Sequence, residues 1–102
     1  MANIIRATTP TFKYKFKTVT VANITKAYLT IMQEGETIIE KTLEDATVGT
    51  DFLSWTFTQA ETLQMSTSKI RVMLNWKLAD GTRGASKKTT LAIDCNFKEE
   101  VI

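Results

Sequence analysis

Histidine does not occur in this 102-residue chain. That removes the commonest general base near neutral pH and the commonest metal ligand. A Ser-His-Asp or Cys-His site cannot be built from these residues. Cysteine occurs once, as Cys95. A lone thiol excludes an intrachain disulfide framework and a cysteine-only metal cluster. No segment approaches the length of a membrane-spanning helix. "MANIIRATTP" lacks the long apolar run of a secretory signal. Together these absences predict a chain made and folded in a reducing cytosol. The triplet Asn23-Ile24-Thr25 then matches a glycosylation sequon only by chance.

What the chain does contain suits one globular domain spanning residues 1–102. Hydrophobic residues make up 43% and charged residues 24%, enough of each for a modest core and a solvated surface. Net charge is +2, but it is unevenly spread. Residues 34–61 carry seven acids and one base, a balance of −6; the remainder carries twelve bases and four acids, a balance of +8. Such a split suits two oppositely charged surfaces that meet neighbours head to tail. It also arises by chance in small domains.

Period-two alternation dominates the chain. In "KIRVMLNWKLA", Ile70, Val72, Leu74, Trp76 and Leu78 share one face, and Lys69, Arg71, Met73, Asn75 and Lys77 the other. This is the pattern of a long strand with one buried face. Asp80-Gly81 then signals a hairpin turn, which predicts a return strand over about 86–97 with Leu91, Ile93, Cys95 and Phe97 inward. Cys95 is expected to be a buried small hydrophobe. "AYLTIMQ" and "TIIEKTL" flank a second turn at Glu34-Gly35-Glu36, and the adjacent Ile38 and Ile39 leave the facing of the second segment open. "LEDATVGT" reads as a loop. "DFLSWTF" reads as a strand with Leu53, Trp55 and Phe57 inward. Trp55 and Trp76 are expected in the core. The lone proline, Pro10, favours an edge segment.

One stretch departs from alternation. Thr58-Gln59-Ala60-Glu61 is a capping box and predicts a helical turn near 59–64, with Leu63 and Met65 as core plugs. About seven short strands without long helices between them cannot make parallel crossover units. The expected fold is all-β: an antiparallel immunoglobulin-like sandwich, with a small barrel as the alternative.

"TFKYKFK" places Lys13, Lys15 and Lys17 among Phe12, Tyr14 and Phe16. Single-strand nucleic-acid binders need cations and aromatics on the same face. A strand sends these two sets to opposite faces, so no nucleic-acid partner is expected, and the lysines read as a solvated or partner-facing row. The carboxylate pairs Glu34/Glu36 and Glu44/Asp45 match no metal-loop spacing. "DGTRG" is too short for a phosphate cradle, although Arg83 at its tip is placed to make a contact. No enzyme, metal or cofactor is expected. The candidate interaction surface comprises Lys13, Lys15, Lys17, Tyr28, Glu44, Asp45 and Arg83.

Three stretches, "MANIIRATTPTFKYKF", "WTFTQAETLQM" and "WKLADGTRGASK", resemble small structural proteins of tailed phages and prophages of Gram-positive bacteria. More loosely, the chain is similar to the N-terminal module of upper-baseplate proteins. The middle motif typically reads Leu-Thr-Gln-x-Glu-Thr-Leu; here it is Phe57-Thr58-Gln59-Ala60-Glu61-Thr62-Leu63. The resemblance implies an immunoglobulin-like virion component of the tail tip or baseplate, made in the host cytoplasm. It implies other phage structural proteins as partners, with homo-oligomers possible and no membrane involved. A ligand-binding sandwich, such as a carbohydrate-binding or adhesin module, is the competing expectation, with Tyr28 as its platform residue.

Overall fold

The computed structural model describes residues 4–102. The start of the first motif, Met1 to Asn3, lies outside the described residues. Nine strands and one short α-helix follow in order: β1 (Ile4–Ile5), β2 (Thr11–Lys15), β3 (Ile24–Gln33), β4 (Glu36–Thr42), β5 (Thr47–Val48), β6 (Phe52–Thr56), α1 (Gln59–Leu63), β7 (Lys69–Leu78), β8 (Arg83–Ala85) and β9 (Thr89–Asp94). They form two sheets. The larger is curled and runs β1-β9-β7-β3-β4, with β8 also beside β7; the smaller runs β2-β6-β5. The all-β class is therefore as the alternation indicates.

The two long strands β3 and β7 pair antiparallel and set the frame. Leu29 faces Leu74, and Ile31 faces Val72, in register. All four are buried. From the smaller sheet, Leu53 and Trp55 meet them, joined by Phe16 and Phe57 in one apolar cluster. Burying one such side chain contributes roughly 1.5–3 kcal/mol, and this shared core is what holds the sheets together. Trp55 is wholly inside, and its indole N–H donates to the Thr42 carbonyl at 2.9 Å. Trp76 is half-buried, packed edge-on against Phe16 at 5.0 Å between ring centroids.

The turns follow their residues. Glu34 (φ 55°) and Gly35 (φ 83°) both adopt the left-handed region between the paired Gln33 and Glu36. That is the two-residue turn whose twist suits a hairpin. The adjacent isoleucines are resolved by a bulge. Ile31 pairs with Ile39 and Met32 with Thr37, so Ile38 is the extra residue. Ile39 is buried and Ile38 half-buried.

The helix forms where its capping box lies. Thr58 Oγ1 accepts from the Glu61 amide at 3.1 Å, and Glu61 Oε1 accepts from the Thr58 amide at 2.8 Å. Met65 fills the core as expected, whereas Leu63 is only half-buried. Thr62 takes the inward position instead, its hydroxyl 2.9 Å from the Thr8 carbonyl it donates to. In so short a helix, positions 62 and 65 share the inward face.

The expected return strand is split. β8 pairs with residues 75–77 of β7 and β9 with residues 69–72. Between them Ser86 keeps hold of Leu74 by both groups: its amide donates to the Leu74 carbonyl at 2.8 Å, and its hydroxyl accepts from the Leu74 amide at 2.9 Å. The pairing is also not wholly antiparallel, because β1 runs parallel to β9. Cys95 is exposed rather than buried. The strand stops at Asp94 because Asn96 turns the chain: its side-chain amide donates to the Arg6 carbonyl at 3.0 Å, and its carbonyl oxygen accepts from the Lys98 amide at 3.1 Å. Phe97 points to solvent for the same reason. "LEDATVGT" is more ordered than a plain loop. It holds one 3₁₀ turn, Leu43–Asp45, and then β5.

Candidate interaction faces

Alternation along β3 and β7 sends half of their side chains away from the core. On β3 these are Tyr28, Thr30 and Met32; on β7 they are Arg71, Met73 and Asn75. In register, Tyr28 faces Asn75, Thr30 faces Met73, and Met32 faces Arg71. This outer face is unlike an ordinary solvated face. Tyr28 is 41% exposed and Met32 38% exposed; Tyr28 stands beside the polar Thr30 and Asn75, and Met32 beside Thr30 and Arg71.

Part of this face is a groove of about 700 Å³. Met32, Met73, Thr30 and Thr90 are among the residues that line it. Lys69, Arg71 and Lys88 add positive charge, against one carboxylate, Glu34. Among the described residues, the ion pairs are Arg6–Glu99, Lys41–Glu61 and Lys98–Glu100. The three groove cations belong to none of them.

A smaller hollow of about 310 Å³ lies further along the same sheet, where Tyr28, Lys26, Thr42 and Glu44 meet. The fold thus brings Tyr28 and Glu44 together, although they are far apart in sequence. Asp45 sits beside them on the 3₁₀ turn. Its carboxylate accepts from the Thr42 amide at 3.0 Å. That bond holds the Asp45 carboxyl below the usual carboxylate range; slight desolvation opposes it, and the Thr42 hydroxyl and Lys41 assist. Arg83 reaches back over the sheet and donates to Asn75 Oδ1 at 3.3 Å. Tyr28 and Arg83 therefore flank the same asparagine.

The lysine row is elsewhere. Lys13 and Lys15 lie on the exposed face of β2, opposite the half-buried Phe12 and Tyr14, and Lys17 follows the strand end. The predicted separation of aromatics from cations holds along this strand. The row is not wholly free, because the Lys13 ammonium stands 4.1 Å from the centroid of the Phe52 ring. Of the seven predicted surface residues, the fold gathers Tyr28, Glu44, Asp45 and Arg83 on or beside the larger sheet and leaves the three lysines on the smaller one.

Among the described residues, no group of three or more Cys, Asp or Glu side chains is placed to hold a metal ion. Among the same residues, no helix is long and apolar enough to cross a membrane. The groove residues Met32, Met73, Arg71, Lys88 and Thr90 were not singled out by the sequence. Each occupies the polar phase of an alternating strand or an adjoining loop, and only the curl of the sheet gathers them. The chain matches no family model and no curated protein.

Proposed function

We propose that this chain is a non-enzymatic structural protein of a phage or prophage virion. In this reading it is an immunoglobulin-like sandwich of the tail tip or baseplate that acts through contacts with other structural proteins and with copies of itself. It is made in the host cytoplasm and incorporated into the particle. The observation that carries the contact-forming part is the outer face of the larger sheet. Exposed Tyr28 and Met32 lie beside a groove whose three cations form no ion pair among the described residues, a mixed apolar and charged face suited to a protein partner. Two sheets around one core support the sandwich. The unpaired outer edges of β4 and β5 offer further contact lines. The virion assignment rests on the resemblance of the three sequence stretches.

Mass spectrometry of particles purified from the strain that encodes the chain tests this reading. The chain should be present at a stoichiometry fixed relative to the other tail proteins. Its absence from intact particles, or its recovery only in the soluble fraction, overturns the virion assignment.

A second reading is favoured by the hollow beside Tyr28. An aromatic ring next to polar side chains is how a sandwich grips a sugar ring, so the chain would be a carbohydrate-binding or adhesin-like module. A glycan array separates the two readings. Saturable binding of one glycan that is lost in Tyr28→Ala supports this one.

A further inference from the structure

We infer that the groove on the outer face of the larger sheet receives the acidic segment 43–51 of a second copy of this chain. The contact is head to tail.

Two complementary surfaces carry the argument. The groove supplies Lys69, Arg71 and Lys88, with the thioethers of Met32 and Met73 between them. The segment "LEDATVGTD", Leu43 to Asp51, contains Glu44, Asp45 and Asp51 and no base. Its only exposed large apolar side chain is Val48, 57% exposed. Carboxylates can meet the three cations while Val48 lies against the methionines. Methionine suits such a contact because its flexible thioether adapts to an irregular partner. The segment is also presentable. Its strand β5 pairs on one side only, with β6, so the other side carries unpaired backbone groups that a partner can use.

The two surfaces are separate within one molecule, and no residue of the segment lines the groove. Groove residues Thr30 and Met32 lie in the second half of β3, whereas the 3₁₀ turn Leu43–Asp45 adjoins Tyr28 in its first half. A groove on one patch that binds a segment on another is a heterologous contact. Repetition of such a contact gives a ring if the rotation closes and a filament if it does not. The lysine row is the weaker basic half of any such contact. Lys13 is engaged with Phe52 of its own copy, and the β2 row adjoins β6 and then β5, the strand that would have to bind it.

The inference rests on the contact-forming part of the proposed function and is independent of the virion assignment. Native mass spectrometry and light scattering of the full chain test it. At low salt the wild-type chain should show a concentration-dependent series of oligomers, weakened as ionic strength rises. Arg71→Glu with Lys88→Glu should weaken association at least about tenfold. So should Glu44→Lys with Asp51→Lys. Each double variant should keep the wild-type circular dichroism and melting temperature. Mixed together, the two variants should form a heterodimer, because one supplies an intact segment and the other an intact groove.

A wild-type chain that stays monomeric at low salt and high concentration overturns the inference, as does an oligomer series unchanged by either double variant. A mixture that forms no heterodimer also overturns it. If the chain is monomeric yet present in purified particles, this inference fails and the virion reading survives. If it assembles as described but is missing from particles, the reverse holds.

Discussion

Lys41 on β4 donates to Glu61 on α1 at 2.8 Å, and the same carboxylate accepts from the Thr58 amide. One side chain thus both starts the helix and pins it to the larger sheet. The pair is largely shielded, with side-chain exposures of 14% for Lys41 and 23% for Glu61. Burial pushes the Glu61 carboxyl up, but the Lys41 bond, the Thr58 amide and the Lys41 charge outweigh it and leave it below its ordinary value of 4.5. A depressed folded-state value means stability that is fully present above about pH 4.5 and lost as pH falls through the lower value. Glu61→Gln keeps the capping box and loses the charge pair. It should cost about 0.5–1 kcal/mol at pH 7. Chemical denaturation at several pH values should show this difference shrinking below pH 4.5. Glu61→Ala removes both roles and should cost about 1–2 kcal/mol.

Gln33 ties the end of β3 to the segment leading into β7. Its carbonyl oxygen accepts from the Ser66 amide at 2.8 Å, and its side-chain amide donates to the Ser66 carbonyl and to Ser68 Oγ, each at 2.9 Å. Gln33 is 7% exposed, so these groups cannot turn to water. Gln33→Leu should destabilise by about 2–3 kcal/mol because it strands a backbone donor and acceptor. Urea unfolding measures this. A loss under about 0.5 kcal/mol would mean that water replaces the side chain.

Gly84 lies opposite Trp76 in the β7–β8 pair, and a Cβ there would fall 2.5 Å from the indole ring. Phe16 and Tyr14 also pack against that ring, which limits its room to withdraw. Gly84→Ala should lower stability by about 1–3 kcal/mol and shift the tryptophan fluorescence. Adding Trp76→Leu should make the alanine nearly neutral. If the two losses simply add, the clash is not the cause.

Lys13→Glu, Lys15→Glu and Lys17→Glu together should leave the fold intact, at a cost of about 1 kcal/mol, chiefly the Lys13–Phe52 contact. They should also leave self-association intact, in contrast to the groove reversals. A collapse of the oligomer series in this triple variant would move the basic half of the contact to β2.

Cys95 should react with a thiol reagent in the native state, at one equivalent per chain and without denaturant. Cys95→Ser should change stability by less than about 0.5 kcal/mol. Slow labelling that accelerates in urea would place the thiol inside.

Local patterns made some of this legible. The alternation of five apolar residues from Ile70 to Leu78 defines β7, and Thr58 with Glu61 defines the helix start. Both signals act between near neighbours in the chain. What escaped depends on distant partners. Nothing near Ile4 indicates that it will lie parallel to Ile93, and nothing near Cys95 shows that Asn96 will turn toward Arg6. Met73 and Thr90 read as solvated positions because alternation assigns a face but not its curvature. The acidic stretch and the basic remainder were visible as composition. That three cations gather beside two methionines was not, because the pairing of β3 and β9 with β7 and the curl of the sheet decide it.

The pairing of Ile4 with Ile93 and of Ile5 with Asp94 bears on how the chain is made. β1 is the first of the described strands in chain order, and its partner β9 is the last. β1 must therefore wait for β9 while the intervening strands are made, and closing so long a loop is entropically costly. Completion of the larger sheet requires that every strand between them has already been made. A chain truncated before β9 would leave both β1 and the flank of β7 open to pairing with other chains.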